Sequence, residues 1–125
     1  MPRVLVIEDF AVLRRLVEVA IMPLEAEVLL AADGYEGLAC LETDQVDLVI
    51  LDIGLPGMDG WEVLSRIRAN EATSEVPVLV VTAHGDQADE NRSKELGASG
   101  FIAKPFQPDD LLETAERLLA EHARP

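Results

Sequence analysis

Charged and hydroxyl side chains follow four short apolar runs of the chain, at the point where each run ends. These residues are Glu8 and Asp9, Asp52, Thr82 and Lys104. Three carboxylates in one crevice repel one another unless a cation lies between them, and Mg²⁺ suits carboxylate, carbonyl and water oxygens. A carboxylate beside such an ion and a lysine ammonium is placed as a nucleophile toward a phosphoryl group, with the Thr82 hydroxyl as a hydrogen-bond donor. The residue types therefore predict phosphoryl transfer to Asp52, provided that the fold brings them together.

Five apolar runs have the length and composition of buried strands. They are Val4–Ile7, Val28–Ala31, Leu48–Leu51, Val78–Val81 and Gly100–Ala103. The central run ends in the carboxylate of Asp52 and continues into a turn rich in glycine and proline. One such residue would be an ordinary cap or a solvated side chain. Four strands that end in complementary chemistry are harder to assign to chance.

Helical patterns separate the strands. Pro23 ends the first helix, Asp33 with Glu36 forms a capping box for a second helix through Leu41, and Gly60 to Arg68 reads as a third. The fourth helix, Asp86–Leu96, has a thin apolar stripe, and the fifth begins at Pro108. The stripes that we expect to pack on the sheet are Val12, Leu13, Leu16, Val17, Ala20 and Ile21; Trp61, Leu64 and Ile67; Ala88 and Leu96; and Leu111, Leu112, Ala115, Leu118 and Leu119.

This alternation predicts a three-layer α/β sandwich with a parallel sheet. In such a sheet all strands end at the same edge, where α/β proteins bind ligands. Glu8, Asp9, Asp52, Thr82 and Lys104 should therefore meet there. We expect one domain over residues 1–125, with Glu121 to Pro125 frayed.

Composition narrows the possible partners and the compartment. A formal net charge of −14 opposes direct contact with a nucleic-acid backbone. No start resembling a signal peptide and no apolar run near the ~20 residues of a membrane span is present, so no membrane association is expected. The single cysteine, Cys40, cannot form an internal disulfide. We therefore expect a cytoplasmic protein.

Several motifs together resemble the response-regulator receiver domain of two-component signalling, and the resemblance covers essentially the whole chain. They are Asp52-x-x-x-Pro56-Gly57-Met58-Asp59-Gly60, Thr82-Ala83, Lys104-Pro105-Phe106, Ala32-Asp33-Gly34-Tyr35-Glu36 and Gly97-Ala98. The resemblance implies a CheY-like, flavodoxin-like (βα)5 fold with strand order 2-1-3-4-5. It also implies a signalling switch that catalyses its own phosphorylation and dephosphorylation, as opposed to an enzyme with an external substrate.

The resemblance assigns roles to individual residues. Asp52 would accept the phosphoryl group from a histidine kinase or a histidine phosphotransfer protein, and Lys104 would contact it. Glu8, Asp9, Asp52 and the backbone carbonyl of Gly54 would hold Mg²⁺, for which Mn²⁺ can substitute. The remaining assignments are a cis peptide before Pro105, a switch pair of Thr82 and Phe101, and a partner-binding face formed by the fourth helix, the last strand and the last helix.

The chain departs from the family pattern at several positions. Glu8 stands where aspartate is frequent, and its extra methylene could route metal contact through a water. Phe101 has no hydroxyl, so packing alone would hold an inward state. Gly54 and His84 offer no carboxamide or carboxylate to orient an attacking water, which predicts a long-lived phosphoryl group.

Three other functions compete with this reading. A degenerate receiver would dock partners without phosphorylation, but Asp52, Thr82 and Lys104 are intact. An aspartyl phosphatase would want a second acid two residues after the nucleophile, where this chain has Gly54. A flavodoxin-like flavin protein is disfavoured because Glu8 and Asp9 would repel the flavin phosphate.

Overall fold

Five strands and five α-helices alternate along the chain in a computed structural model, which describes residues 1–83 and 86–122. The strands are β1 (Arg3–Ile7), β2 (Glu27–Ala31), β3 (Leu48–Asp52), β4 (Val78–Thr82) and β5 (Gly100–Ala103). The helices are α1 (Ala11–Ala20), α2 (Gly34–Thr43), α3 (Gly60–Ala69), α4 (Gln87–Glu95) and α5 (Pro108–Glu121), and a 3-10 turn, Met22–Leu24, follows α1. Pro23 lies in that turn, which is where the sequence predicts the end of the first helix.

All neighbouring strands pair in parallel, in the order β2-β1-β3-β4-β5. The three-layer sandwich and the strand order are therefore confirmed. Every residue of β3 and β4 is buried, because helices cover both faces of the sheet. This arrangement places the carboxyl end of β3 in the middle of the sheet, between the ends of β1 and β4.

Two apolar clusters lie on opposite faces of the sheet. Trp61, Leu64 and Ile67 of α3 belong to one cluster, and partly buried residues of α2 pack against it. Val17 and Ile21 at the end of α1 and Leu111, Ala115 and Leu118 of α5 belong to the other. Among the described residues, no helix is long and apolar enough to cross a membrane.

Side chains of aspartate begin three of the helices. The carboxylates of Asp33, Asp59 and Asp86 each accept a hydrogen bond from a backbone amide in the first turn of α2, α3 and α4. Each of these bonds satisfies an amide that has no partner within its own helix. The predicted cap at Asp33 is thus confirmed, and α2 continues two residues beyond the predicted Leu41, to Thr43.

The predicted apolar stripes of α1 and α4 were wrong in part. Val17 and Ile21 are buried, but Val12 and Leu16 are exposed. In the described part of the chain, no other element packs over this outer half of the stripe. In α4, Ala88 is exposed and the buried residue is Ser93, whose hydroxyl is satisfied by the carbonyl of Glu90 at 2.7 Å. A polar residue can occupy this buried position because a backbone carbonyl of its own helix accepts its hydrogen bond.

The predicted fraying of Glu121 to Pro125 stays a prediction. Glu121 belongs to α5, and the imidazole of His122 lies 2.9 Å from the carbonyl oxygen of Leu118, so the last turn of the helix is formed. Residues 123–125 lie outside the described part of the chain.

Candidate active site at the carboxyl edge of the sheet

Carboxylates from β1 and β3 meet at the carboxyl edge of the sheet. Glu8, Asp9 and Asp52 each place an oxygen within 4.8 Å of the others. Glu8 and Asp52 are only 4% and 6% exposed, whereas Asp9 is exposed. The cluster predicted from the strand ends therefore exists, with two of its members inside the protein and one at its mouth.

Lys104 reaches this cluster from the loop after β5. Its ammonium nitrogen lies 3.0 Å from Oε1 of Glu8 and 3.0 Å from Oδ1 of Asp52, and its side chain is 18% exposed. The amide of Lys104 donates to the carbonyl of Thr82 at 2.7 Å, and the Lys104–Pro105 peptide bond is cis. The end of β4 thus anchors the backbone from which the lysine extends toward the two acids.

The turn after β3 fixes the backbone of Asp52. The amide of Gly60 donates to the carbonyl of Ile53 at 2.9 Å, so α3 begins directly against the end of the strand. A Cβ atom at Gly60 would lie 2.6 Å from the carbonyl oxygen of Asp52. Only glycine allows this approach, which explains why the turn motif ends in Gly60.

Burial and the neighbouring charges shift the ionisation of the two contacting groups. Burial raises the pKa of Glu8 to about 7; the Lys104 ammonium opposes this rise, and the Asp52 carboxylate adds to it. Burial also lowers the pKa of Lys104, but its hydrogen bonds to Glu8 and Asp52 outweigh that effect, so the net shift is upward. Lys104 is therefore charged, and Glu8 ionises near neutral pH in the metal-free protein.

This shift predicts that the metal-free protein loses stability as the pH rises. Glu8 binds its proton more tightly in the folded state, at a pKa of about 7, than at its ordinary value of 4.5. The folded state is therefore favoured below that ordinary value, and this advantage disappears as the pH rises through 7. We expect a loss on the order of 2 kcal/mol between pH 5 and pH 8, measured by urea unfolding in EDTA.

Glu8→Gln is the matched variant for this measurement, since it keeps the shape of the side chain and removes its ionisation. Its unfolding free energy should change much less over the same pH range. An equal loss in both proteins would show that another group causes the pH dependence.

Comparison with known proteins identifies the family. The sequence model of the response regulator receiver domain family matches residues 4–116 of the chain. The chain belongs to this family. It is 35% identical over 123 residues to the ycf27 protein of Cyanophora paradoxa, described as a probable transcriptional regulator; the match covers 98% of this chain and 50% of that protein. The chain thus spans about half the length of this curated relative.

Solved structures agree with the family and the fold. A putative response regulator from Chloroflexus aurantiacus superimposes with a TM-score of 0.91 at 32% identity, over 96% of this chain and 99% of that one. The receiver domain of a sensor histidine kinase from Pseudomonas aeruginosa PAO1 gives a TM-score of 0.87 at 29% identity, over 95% of this chain and 98% of that one. That structure has a magnesium ion coordinated in its active site cleft.

The acidic cluster of this receiver domain fits a divalent cation. Three carboxylates converge, and one ammonium group cannot neutralise all of them. Oxygen donors of this kind are the ligands that Mg²⁺ prefers. Glu8, Asp9 and Asp52 could hold such an ion, and the carbonyl of Gly54 in the exposed turn after β3 remains a predicted fourth ligand.

The other predicted residues lie around the receiver site in different environments. Thr82 is buried at the end of β4, next to β3, and Phe101 is half-buried and packs against the cluster that contains Trp61. The amide of Gly54 lies 3.3 Å from Oδ1 of Asp52. His84 lies outside the described residues, so the long phosphoryl lifetime remains a prediction.

Sequence reasoning missed two contacts of this receiver domain. Arg14 lies in the first turn of α1, and its guanidinium donates to the carbonyl of Glu8 at 2.8 Å. The guanidinium of Arg92 lies 4.7 Å from the centre of the Trp61 ring, which joins α4 to α3. The only signal for the first contact is the position of Arg14 in the first turn of α1, close in sequence to Glu8.

Proposed function

We propose that this receiver domain accepts a phosphoryl group on Asp52 from a histidine kinase or a histidine phosphotransfer protein, in a reaction that depends on Mg²⁺. A carboxylate oxygen of Asp52 forms the new bond to phosphorus, and the bond from phosphorus to the donor imidazole nitrogen breaks. The donor nitrogen keeps the electron pair, and the histidine leaves as neutral imidazole because its other ring nitrogen carries a proton. The observation that carries this proposal is the buried Asp52 carboxylate, with Lys104 at 3.0 Å and two further carboxylates in the same cluster.

The residues of the site would have different roles in this phosphoryl transfer. Lys104 would contact a phosphoryl oxygen and offset its charge, and Thr82 would donate a hydrogen bond to another. Mg²⁺, when bound, would supply further positive charge at those oxygens. Glu8, Asp9, Asp52 and the Gly54 carbonyl would hold the ion. In this scheme the chain itself supplies the groups for its own phosphorylation and dephosphorylation.

Incubation with acetyl phosphate tests the proposal directly. We expect intact-mass spectrometry to show a single phosphoryl adduct in the presence of Mg²⁺ or Mn²⁺, and none in EDTA. The proposal would be contradicted if wild-type protein binds Mg²⁺ measurably but forms no adduct. This result must hold both with acetyl phosphate and with a panel of phosphorylated donors. Such a result would favour the alternative, a docking module that works without phosphorylation.

We further propose that phosphorylation changes the face formed by α4, β5 and α5, which an unidentified downstream protein would read. The α4 helix is suited to movement because its sequence is strongly polar and Ser93 is its buried residue. Thr82 is the last residue of β4, and Phe101 lies half-buried on the neighbouring strand β5, which belongs to this face. A shift of Thr82 toward the phosphoryl group would leave space that Phe101 could fill.

An apolar groove beside the site offers a surface for the phosphoryl donor. It has a volume of about 490 Å³ and lies between α1 and the loop after β5, with Leu13, Leu16, Val19 and Phe106 in its walls. Lys104 lines the same groove, so the groove is continuous with the phosphorylation site. A protein that brings a phosphohistidine to Asp52 must approach across this edge, and we place its apolar contact here.

Leu16→Glu should slow phosphoryl transfer from protein donors but not from small-molecule donors. Leu16 is 56% exposed, so a glutamate can be tolerated in the free protein but would have to be desolvated under an apolar partner. We expect phosphoryl transfer from a phosphorylated histidine donor to slow by about tenfold or more. The rate with acetyl phosphate should stay within about twofold, because a small donor needs no docking surface.

Gln45→Glu is the control for the added negative charge, since Gln45 is exposed before β3, at the opposite edge of the sheet. It should leave both rates unchanged. If Leu16→Glu slows both donors equally, it disturbs the site rather than a docking surface, and the placement of the donor is wrong.

A further inference from the structure

The turn between β1 and α1 holds two of the three clustered carboxylates but lacks a side-chain cap. Its N-cap residue is Phe10, and α1 has no acidic residue in its first turn. The helices α2, α3 and α4 each begin with an aspartate whose carboxylate accepts a backbone amide. Within this turn the carboxylate of Glu8 accepts a hydrogen bond from the amide of Phe10 at 3.3 Å, and a further restraint comes from α1.

Arg14 supplies that restraint. Its side chain folds back from α1, and Nη1 donates to the carbonyl oxygen of Glu8 at 2.8 Å and lies 3.5 Å from that of Asp9. The first distance is that of a strong hydrogen bond, and the second is a weak contact. Arg15, the next residue, is exposed and pairs with Glu18 on the surface of the same helix. The two arginines thus have different roles despite their adjacent positions.

The contact acts on the peptide that joins two proposed metal ligands. The amide of Glu8 is fixed by the carbonyl of Ala31 at 3.0 Å, which holds the backbone on the side of the sheet. Arg14 fixes the following peptide, between Glu8 and Asp9, through its carbonyl. Because the two side chains leave the backbone on either side of that peptide, its orientation sets their relative positions.

We propose that Arg14 is a positioning residue that holds the Glu8–Asp9 turn in the geometry required for divalent-cation binding; this inference rests on the metal site of the proposed function. Partners that orient metal ligands commonly change metal affinity by about 10–100-fold when removed. Arg14 acts through the backbone and needs no contact with the ion.

The sign of the effect distinguishes positioning from simple charge. Removal of a positive charge near an acidic site should strengthen the binding of a cation, by Coulomb attraction alone. A weaker affinity after removal of Arg14 is therefore the opposite of the electrostatic expectation. Arg15 carries the same charge on the neighbouring position, so its variant measures the electrostatic part.

The experiment is isothermal titration of Mg²⁺ into wild-type protein, Arg14→Ala and Arg15→Ala. We expect Arg14→Ala to raise the Kd for Mg²⁺ by about tenfold, and Arg15→Ala to leave it unchanged or slightly lower. At saturating Mg²⁺ the rate of phosphorylation by acetyl phosphate should return to within about twofold of the wild-type rate in Arg14→Ala, since the reacting groups are intact. Urea midpoints in EDTA should show that the variants are folded.

Two results would overturn the inference: an unchanged Kd in Arg14→Ala, or a lower phosphorylation rate that saturating Mg²⁺ does not restore. Arg14→Met, which keeps the aliphatic part of the side chain but no donor, answers the same question if Arg14→Ala does not fold. Wild-type protein that binds no Mg²⁺ would instead contradict the proposed function, so the two failures are distinguishable.

Discussion

Asp52→Asn should abolish the phosphoryl adduct that acetyl phosphate produces in the presence of Mg²⁺. The amide oxygen of asparagine carries no charge and is a poor nucleophile, although it has the same shape as the carboxylate. We expect the rate of adduct formation to fall by at least about 10³-fold, as is usual when a nucleophile is removed. The measurement is the fraction of phosphorylated protein over time, by intact-mass spectrometry.

Asp59→Asn is the matched control because it makes the same substitution seven residues further along the same turn. Asp59 is exposed, and its carboxylate caps α3, a role that asparagine performs equally well. Its phosphorylation rate should therefore equal that of the wild type. Persistence of the adduct in Asp52→Asn would identify a different acceptor, and tandem mass spectrometry of the peptide that contains Glu8 and Asp9 would be the next step.

The strands were predictable because burial leaves a strong pattern in the sequence, whereas their order was implied only by the resemblance to receiver domains. Runs such as Leu48–Leu51 are apolar at every position, which is typical of a strand covered on both faces. Once parallel strands are recognised, their carboxyl ends must share one edge of the sheet, so Glu8, Asp52 and Lys104 were expected to meet there. The structure brings these three together by direct contact.

Exposure of helix faces was less predictable, because an apolar stripe does not reveal how far the neighbouring elements extend. Val12 and Leu16 continue the period of Val17 and Ile21, yet they lie beyond the part of α1 that the sheet and α5 cover. Conversely, Ser93 breaks the apolar pattern of α4 and is buried, since its hydroxyl bonds to its own helix. The pattern of apolar and polar residues along a helix shows which side chains are apolar, but it does not show which neighbours each side chain contacts.

Contacts made by long side chains could also not be predicted from the sequence. Arg14 and Arg15 are identical in type and adjacent in position, but one turns back to the carbonyl of Glu8 and the other pairs with Glu18. Similarly, Lys104 was expected to contact a phosphoryl group, and the structure places it between Glu8 and Asp52. Rotamer choices of flexible side chains depend on the whole surrounding surface, which one sequence does not specify.

Lys104→Met should have the largest effect on stability of any substitution at the site. In the metal-free protein the lysine is the only described cation within ion-pairing distance of Glu8 and Asp52, whose side chains are almost fully buried. Removal of one partner from a buried ion pair commonly costs about 3–5 kcal/mol, because the remaining charge is left uncompensated. Since Lys104 is partly exposed, we expect a loss of about 2–4 kcal/mol at pH 8 in EDTA, measured by urea unfolding.

Two conditions should reduce that loss, and both follow from the charge of the cluster. At pH 5, Glu8 will be protonated, so one of the two carboxylates no longer needs a cation. Excess Mg²⁺ at pH 8 should restore much of the stability, because binding to the folded state alone stabilises it. Phosphorylation by acetyl phosphate should nevertheless stay slower by about 10²–10³-fold even at saturating Mg²⁺, since the ion does not replace the ammonium at the phosphoryl oxygens.

Lys94→Met provides the comparison for loss of a lysine charge. Lys94 is 68% exposed and pairs with Glu90 on the surface of α4, so its removal should cost no more than about 0.5 kcal/mol. A similar small cost for Lys104→Met at pH 8 in EDTA would mean that water already screens Glu8 and Asp52. In that event, the same screening would flatten the pH dependence predicted for Glu8, so the two stability measurements must agree. A large cost at pH 8 that becomes smaller both at pH 5 and in Mg²⁺ is the combination that only a buried, undercompensated carboxylate cluster produces.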